Sequence, residues 1–215
     1  MLKAEHITTG YGKKQILTDV SFDVAKGDVV LLTGGNGAGK STVLKTIYSL
    51  LKPWTPEGKI IFDGNDITAS PVSDMIRYGV AYMPQKKNVF EEFTVEENLL
   101  TSAAIYSKAE ALEQMQKVYE ILPVLGTLRK RTPFHMSGGE RQLLAFGMVL
   151  VYSPKLMLLD EPFAGVDAKN SEILQQCISD LNKNRSSFII VEHKRQLIDG
   201  VVNKEVGLEL GKVKL

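Results

Sequence analysis

The sequence has a single cysteine, Cys177, among its 215 residues. One cysteine cannot form an intramolecular disulfide or build a cluster of cysteine metal ligands. The longest apolar run, Leu143 to Tyr152, has ten residues, whereas a membrane-spanning helix needs roughly 18 or more. No long apolar segment follows the N-terminal residues Met1 to His6, so a secretory signal is not expected. These absences predict a protein of a reducing compartment such as the cytosol.

An excess of one charge is also missing, because 26 lysines and arginines are balanced by 25 aspartates and glutamates. The formal net charge of +1 argues against a protein whose main task is to coat DNA or RNA, since such proteins are strongly basic. Hydrophobic residues make up 44% of the chain, which excludes bulk disorder. The length suits one large domain, or one core with a small insertion.

Three short apolar segments predict strands of a parallel sheet. They are Val29–Thr33, Leu156–Leu159 and Ser187–Val191, and strands that are apolar on both faces are typical of sheets covered by helices on both sides. Polar residues follow the second and third segments directly, at the carboxyl ends where ligands bind in open α/β sheets. A further segment, Ile16 to Val24, alternates loosely and predicts a strand near the N-terminus.

Helical spacing of apolar residues predicts helices over Ser41 to Leu51 and Lys108 to Leu122. Thr94 and Ser137 are each followed three residues later by a glutamate, the capping-box pattern that opens a helix. The second of these helices is expected to run to about Val151.

The helical patterns cluster in one part of the chain, and this suggests its organisation. We expect residues 86–153 to form a helical subdomain that is inserted into an α/β core. That core, with a β subdomain, comprises residues 1–85 and 154–215, and the whole chain, residues 1–215, is expected to be a single domain.

The stretch Gly34–Ser41 fits the pattern G-x-x-x-x-G-K-[ST] between a predicted strand and a predicted helix. Glycines in such a loop let main-chain N–H groups turn towards phosphate oxygens, and the following helix N-terminus favours the same anion. Lys40 would supply a positive charge to the β and γ phosphates, and the Ser41 hydroxyl would ligate Mg²⁺. A glycine-rich turn without function is the alternative, but pattern and placement together predict nucleotide binding.

Asp160 and Glu161 follow the predicted strand Leu156–Leu159. An aspartate at the end of a parallel strand beside a phosphate loop can hold Mg²⁺ directly or through water, and the adjacent glutamate can orient and deprotonate an attacking water. The alternative is an ordinary acidic turn before Pro162. Because the chain also has a phosphate loop, we favour the metal and catalytic roles.

Ser137, Gly138, Gly139 and Glu140 allow two interpretations. The first is a capping box without a ligand. In the second, the two glycines expose main-chain N–H groups at a helix N-terminus and make a second anion site. One nucleotide does not need both anion sites on one subunit, so a dimer could use the second one to close over the nucleotide of a partner.

The stretch Met136–Gln142 reads Met-Ser-Gly-Gly-Glu-Arg-Gln. Together with the phosphate loop, the acidic pair and the histidine after the third strand, it resembles the motifs of the ATP-binding-cassette (ABC) ATPase family in order and spacing, along essentially the whole chain. The resemblance implies an α/β fold: a P-loop NTPase (RecA-like) core with an N-terminal antiparallel β subdomain and an inserted α-helical subdomain. It also implies ATP and Mg²⁺ as cofactors.

The resemblance carries further residues over one at a time. Tyr11 matches the aromatic residue that stacks on adenine, and Gln85 matches the glutamine that contacts Mg²⁺ and the attacking water. Asp167 matches the segment that crosses the dimer interface, and His193 matches the histidine that reaches the γ-phosphate. The complete expected set is as follows: Glu161, His193 and Gln85 as catalytic residues; Ser41, Gln85 and Asp160 for the metal; and Tyr11, Gly34, Asn36, Gly37, Ala38, Gly39, Lys40, Ser41, Thr42, Ser137, Gly138, Gly139 and Asp167 for the nucleotide.

The subfamily signals point in two directions. Asp63–Thr68, Arg77–Gln85 and Phe93–Leu99 look like the ATPase subunits of branched-chain amino-acid importers, whereas Asp160–Asp167 looks more like lipopolysaccharide-export ATPases. The main expectation is an ATP hydrolase that lies on the cytoplasmic face of the cell membrane and energises transport through separate membrane permease subunits. It would pair with a second copy or with a related ATPase, and no direct contact with nucleic acid is expected. A non-transport ABC ATPase acting on DNA or ribosomes, and a P-loop kinase for a small acceptor, are the other classes.

Overall fold

The computed structural model of the protein describes residues 1–86 and 88–214. Lys87, in the predicted helical subdomain, and Leu215, at the end of the predicted core, lie outside the described residues. The strands are β1 Leu2–Tyr11, β2 Lys14–Val24, β3 Val29–Thr33, β4 Lys59–Phe62, β5 Asn65–Asp66, β6 Val80–Met83, β7 Leu156–Asp160, β8 Ser187–Val191, β9 Lys204–Glu209 and β10 Lys212–Val213. The α-helices are α1 Lys40–Ile47, α2 Met75–Tyr78, α3 Val95–Ser102, α4 Lys108–Ile121, α5 Pro123–Thr127, α6 Gly138–Leu150 and α7 Ala168–Lys183.

The strands form two sheets of different character. The larger sheet has the strand order β10-β9-β3-β8-β7-β6, and its neighbours from β9 to β6 pair in parallel. The smaller sheet, with the order β2-β1-β4-β5, is antiparallel throughout. The expected α/β fold with an N-terminal antiparallel sheet is therefore confirmed, and the three apolar segments are the neighbouring strands β3, β8 and β7.

Alternate residues of these parallel strands face two separate hydrophobic cores. On β3, Leu31 packs with the helices α3 to α7, whereas Leu32 packs with α1 and the antiparallel sheet. Met157 and Leu158 of β7 divide between the two cores in the same way. A strand with both faces covered has no polar face, which explains why its sequence is a continuous apolar run.

The helices between β6 and β7 begin where the capping patterns predict. The side-chain oxygens of Thr94 and Ser137 accept from the main-chain N–H of Glu97 and Glu140, and each glutamate bonds back to the main-chain N–H of its cap. Ser107 caps α4 in the same way. Each box satisfies N–H groups that the first turn of a helix leaves without partners.

The first helix differs from its prediction. Apolar spacing predicted a helix up to Leu51, but α1 ends at Ile47. Ser49 has a left-handed φ of 59°, and the N–H groups of Leu50 and Leu51 both donate to the carbonyl of Lys45. The apolar residue Leu50 therefore lies outside the helix, and it is 49% exposed.

Among the described residues, every helix is too short or too polar to span a bilayer. The longest is α7, with 16 residues.

Phe146 on α6 is fully buried in the helical core, which gives a direct test of the packing. Phe146→Ala removes a ring that the surroundings cannot replace, and we expect the free energy of unfolding to fall by about 3–5 kcal/mol. The matched control is Phe134→Ala, because Phe134 is 72% exposed and its loss should change stability by no more than about 0.5 kcal/mol. Urea denaturation followed by circular dichroism measures both, and equal losses would contradict the packing described here.

Candidate active site

The loop between β3 and α1 has a conformation that only glycine adopts without strain at three positions. Gly34, Gly37 and Gly39 have φ values of 142°, 79° and 103°. A Cβ atom on Gly34 would lie 2.3 Å from the carbonyl oxygen of Leu208, and one on Gly39 would lie 2.5 Å from Leu17. These contacts explain why the loop between strand and helix is rich in glycine.

Lys40, the first residue of α1, turns its ammonium group back into this loop. Nζ donates to the carbonyl oxygens of Gly34 at 2.7 Å and Gly35 at 3.0 Å, and the residue is only 7% exposed. Burial lowers the pKa of Lys40, while the negative charges of Glu161 and Asp160 act in the opposite direction. The loop therefore holds a buried cation that gains from a bound anion.

Ser41 and Asp160 bring two oxygen ligands together beside that cation. Ser41 Oγ donates to Asp160 Oδ1 at 2.9 Å, and Tyr82 Oη donates to Oδ2 at 3.3 Å. Burial raises the pKa of Asp160, and the two hydrogen bonds oppose this rise. A hydroxyl and a carboxylate are hard oxygen ligands that suit Mg²⁺, which usually takes few protein ligands and completes its shell with phosphate and water oxygens.

Ser41 and Asp160 supply too few ligands to hold a metal ion by themselves, as expected for Mg²⁺ that binds together with a nucleotide. Among the residues that the structure describes, no group of three or more histidine, cysteine or acidic side chains is arranged to hold a metal ion. A cation held by Ser41 and Asp160 would take its remaining ligands from water and from the oxygens of a bound phosphate. The residues fit Mg²⁺ bound together with a nucleotide better than a resident metal held by protein alone.

Glu161 meets the other two predicted catalytic residues. Its backbone has a positive φ of 53°, and its N–H donates to the carbonyl of Val191 on the neighbouring strand at 2.9 Å. Gln85 Nε2 donates to Glu161 Oε2 at 2.6 Å, and His193 Nε2 lies 3.4 Å from Glu161 Oε1. Gln85 was predicted both as a catalytic residue and as a metal ligand. In this structure its side chain is hydrogen-bonded to Glu161.

A cavity of about 230 Å³ opens beside the phosphate loop. Loop residues form one side of it, and Glu161 and His193 form another. The lining residues are Ile16, Asn36, Gly37, Ala38, Gly39, Lys40, Ser41, Thr42, Glu161 and His193. Ser137, Gly138 and Gly139 do not line the cavity. The predicted residues of the phosphate loop thus lie together with Glu161 and His193, and those at the start of α6 lie elsewhere.

Four other predicted residues, Ser137, Gly138, Gly139 and Asp167, form a second group at the start of α6 and α7. Asp167 caps α7, because its carboxylate accepts from the main-chain N–H of Asn170 at 3.1 Å and from its side-chain amide at 2.6 Å. A Cβ atom on Gly139 would lie 2.7 Å from both Asp167 Oδ2 and Asn170 Nδ2, and one on Gly138 would lie 2.8 Å from the carbonyl oxygen of Gly165. The glycines of Met136–Gln142, the signature stretch, thus allow it to pack closely against Gly165 and Asp167.

Tyr11 stands at the end of β1, half exposed. Its hydroxyl accepts a hydrogen bond from Lys45 Nζ at 3.3 Å, and the same ammonium lies 5.6 Å from the ring centroid. Tyr11 is not among the residues that line the cavity beside the phosphate loop, but its half-exposed ring leaves an aromatic surface on which a base could stack.

Sequence reasoning missed four polar residues that support this site. Tyr82 donates to Asp160. Gln142 on α6 donates to the carbonyl oxygen of Glu161 at 3.4 Å and accepts from Asn88 at 2.7 Å. The fourth is Glu192, whose buried carboxylate faces main-chain N–H groups. Tyr82 and Gln142 adjoin apolar residues in the sequence, whereas Asn88 and Glu192 lie at the ends of polar stretches, so the sequence indicates no partner for any of the four.

Comparison with known proteins is decisive about the family. A model of the family described as "ABC transporter" matches residues 17–164. The chain belongs to the ABC transporter family. It is an ATP hydrolase of the ABC type and a transporter subunit, as the order of its motifs implied.

Curated relatives of this ABC ATPase match nearly its whole length. The high-affinity branched-chain amino acid transport ATP-binding protein BraG of Pseudomonas aeruginosa is 36% identical, over 99% of this chain and 91% of that protein. The lipopolysaccharide export system ATP-binding protein LptB of Haemophilus influenzae is 32% identical, over 93% of this chain and 83% of that protein. Both subfamilies that the sequence motifs suggested are therefore represented among its relatives.

Solved structures have the same fold as this ABC ATPase. A nucleotide-free ATP-binding cassette from an ABC transporter superposes with a TM-score of 0.89 at 29% identity, covering 100% of this chain and 90% of that one. A cassette in its ADP conformation superposes with a TM-score of 0.87 at 30% identity, covering 100% and 89% of the two chains. The fold predicted from the resemblance is confirmed.

Gly139→Ala tests the close packing at the start of α6. The new methyl group would lie 2.7 Å from Asp167 and Asn170, so we expect the nucleotide-free ABC ATPase to lose about 1–3 kcal/mol of unfolding free energy. Gly126→Ala in α5 is the matched control, because its methyl group would make only an ordinary contact at 3.9 Å with Tyr119. We expect that change to be neutral or to stabilise by about 0.5 kcal/mol. Urea denaturation measures both, and a neutral Gly139→Ala would contradict this packing.

Proposed function

We propose that this ABC ATPase works as one of two cassettes that close over two ATP molecules and drive separate membrane permease subunits. The observation that carries the proposal is the cavity beside the phosphate loop. It contains Lys40, Glu161 and His193 but not the signature residues. Because Ser137–Gly139 lie outside the cavity of their own chain, they are suited to completing the nucleotide site of a partner cassette.

In this proposal the phosphate loop binds the nucleotide. Main-chain N–H groups of Gly34 and of Asn36–Thr42 surround the phosphates, and Lys40 exchanges its two loop carbonyls for the β and γ phosphate oxygens. Ser41, Asp160 and Gln85 are the residues that would hold Mg²⁺, which offsets phosphate charge when it is bound. Tyr11 stacks on the adenine.

Hydrolysis then depends on the group around Glu161. Its carboxylate accepts a proton from the water that attacks the γ-phosphate. Gln85 and His193, which already contact the two carboxylate oxygens, orient that water and hold the γ-phosphate. With 22% of its side chain exposed, the glutamate is accessible from the cavity without being fully solvated.

The second half of each site would come from the partner cassette. We propose that Ser137, Gly138 and Gly139 of one subunit cover the γ-phosphate bound by the other, and that Asp167 lies at the interface between them. Because this chain carries both halves, two identical copies arranged head to tail would make two complete sites. A second copy is therefore the proposed partner, and a related ATPase is the alternative.

The helices α3 to α6 would form the subdomain that carries the signature stretch, within residues 86–153. We propose that residues 1–85 and 154–215 form the catalytic core, and that the loop after Gln85 faces the permease. The chain then acts at the inner face of the cell membrane. Closure on ATP and opening after hydrolysis would move the permease subunits.

Import of branched-chain amino acids is the transport process that the relatives favour. Besides the Pseudomonas protein, an Archaeoglobus fulgidus protein described as a probable branched-chain amino acid transport ATP-binding protein is 36% identical, over 91% of this chain and 83% of its own. Lipopolysaccharide export is the second candidate, supported by the 32% identical Haemophilus protein. Co-purification of the tagged chain from membranes of its host, followed by identification of the permease, decides between them.

Glu161→Gln tests the proposed base. The amide has nearly the same shape but cannot accept the proton, so we expect ATP hydrolysis to slow at least about a hundredfold, while ATP still binds and the closed dimer accumulates. Phosphate release and light scattering with and without ATP are the measurements. Glu172→Gln, at an exposed position of α7, is the control for the lost charge. Hydrolysis by Glu161→Gln at the wild-type rate would show that another group is the base.

Lys40→Ala tests the proposed phosphate contact. Since the ammonium makes charge-assisted hydrogen bonds to the phosphates, its removal should weaken ATP binding more than about tenfold. Isothermal titration calorimetry measures the affinity. Lys183→Ala removes an exposed cation that pairs with Asp180 at the end of α7 and should leave the affinity unchanged. Equal affinities for Lys40→Ala and wild type would count against nucleotide binding at this loop.

A further inference from the structure

Glu192 is a buried carboxylate without a role in the mechanism described so far. It follows the last residue of β8 and is only 8% exposed. Carboxylates are seldom buried to this degree unless their charge is compensated. No salt bridge is found for it among the residues that the structure describes, so its compensation comes from hydrogen bonds.

Three main-chain N–H groups supply those hydrogen bonds. Oε1 accepts from His193 at 2.8 Å and from Lys194 at 3.0 Å, and Oε2 accepts from Phe163 at 3.3 Å. The first two donors lie in the turn after β8, and the third lies in the segment after β7. One side chain therefore ties together two segments that leave neighbouring strands.

Those two segments carry the groups that meet at the cavity. Glu161 lies two residues before Phe163, and His193 directly follows Glu192. The sheet itself fixes their starting points, because Asp160 pairs with Val191 and the Glu161 N–H donates to the Val191 carbonyl. Beyond the sheet, the Glu192 carboxylate is a link that joins the turn carrying the histidine to the segment carrying the glutamate.

We propose that Glu192 is a positioning residue for ATP hydrolysis. It holds the turn of His193 against the segment after Glu161, and so sets the 3.4 Å separation between His193 Nε2 and Glu161 Oε1. The proposal rests on the roles proposed above for His193 and Glu161. Glu192 itself does not line the cavity, and its effect on the reaction passes through the histidine.

Glu192→Gln is the informative substitution because it keeps the size of the side chain. A carboxylate has two oxygens that accept, whereas the amide replaces one of them with a donor. At least one of the three N–H contacts is then lost, and an N–H group faces an NH₂ group instead. Glu192→Asp keeps the charge and both oxygens on a shorter side chain, so it should act in the same direction with a smaller effect.

The kinetic test combines Glu192→Gln with His193→Ala. We expect Glu192→Gln alone to lower kcat for ATP hydrolysis about tenfold, as for the loss of a hydrogen bond to a charged group, with KM changed less than about twofold. In the His193→Ala background, Glu192→Gln should lower kcat by less than about a further twofold, because the histidine side chain through which Glu192 acts is already absent. Glu172→Gln, which removes an exposed charge, should leave kcat and KM at wild-type values.

Three results would overturn the proposal. The first is a wild-type kcat for Glu192→Gln. The second is the same fold-loss of kcat with and without His193. The third is a loss that appears in KM together with a lower melting temperature. If Glu192→Gln does not fold, Glu192→Asp takes its place in the same cycle.

A spectroscopic test separates this proposal from the proposed function. In nucleotide-free protein labelled with ¹⁵N-histidine, the His193 ring signals are assigned by their absence in His193→Ala. Glu192→Gln should shift these signals and leave those of His6 and His135 in place, and unmoved His193 signals would refute the positioning role. A His193→Ala variant with full activity would instead refute the catalytic role of the histidine, whatever the spectra show.

Discussion

The buried ammonium of Lys40 is the charge around which the rest of the site is arranged. It lies in a loop whose backbone must turn through left-handed conformations, and its nearest partners are two carbonyl oxygens of that loop. Carbonyl oxygens compensate a buried cation only in part. Burial lowers the pKa of Lys40, and the negative charges of Glu161 and Asp160 at the end of β7 oppose that shift. The loop is consequently prepared for a polyanion, although the net charge of the whole chain is only +1.

The parallel sheet brings the other polar residues of the candidate site close to the loop that holds Lys40. β3, β8 and β7 are neighbours in the sheet, so the residues that follow them meet at one edge although they are far apart in sequence. The link between Glu161 and Val191 and the three N–H contacts of Glu192 fix two of these strand ends relative to each other. Rigidity at this edge matters because acid–base catalysis depends on donor and acceptor distances of about 3 Å.

Much of this architecture could be predicted because the sequence patterns that indicate it extend over only a few neighbouring residues. The apolar runs of β3, β7 and β8, the glycine pattern before Lys40 and the capping boxes at Thr94 and Ser137 each depend on neighbours within a few residues. The roles of Glu192 and Gln142 depend instead on partners 29 and 54 residues away, which only the tertiary fold brings near. The early end of α1 was missed for a different reason, since the residues after Ile47 keep a helical apolar spacing although Ser49 adopts a left-handed conformation.

The central claim is that each ATP is enclosed by the phosphate loop of one copy and the signature stretch of another. Mixing two inactive variants tests it most directly. Lys40→Ala disables the loop, and Ser137→Asp keeps a helix-capping oxygen but places a negative charge against the phosphates. Each variant alone should be inactive, whereas a mixed dimer has one intact site, so the mixture should recover up to roughly a quarter of the wild-type ATPase rate for random pairing. A mixture that stays as inactive as its two components would contradict the account.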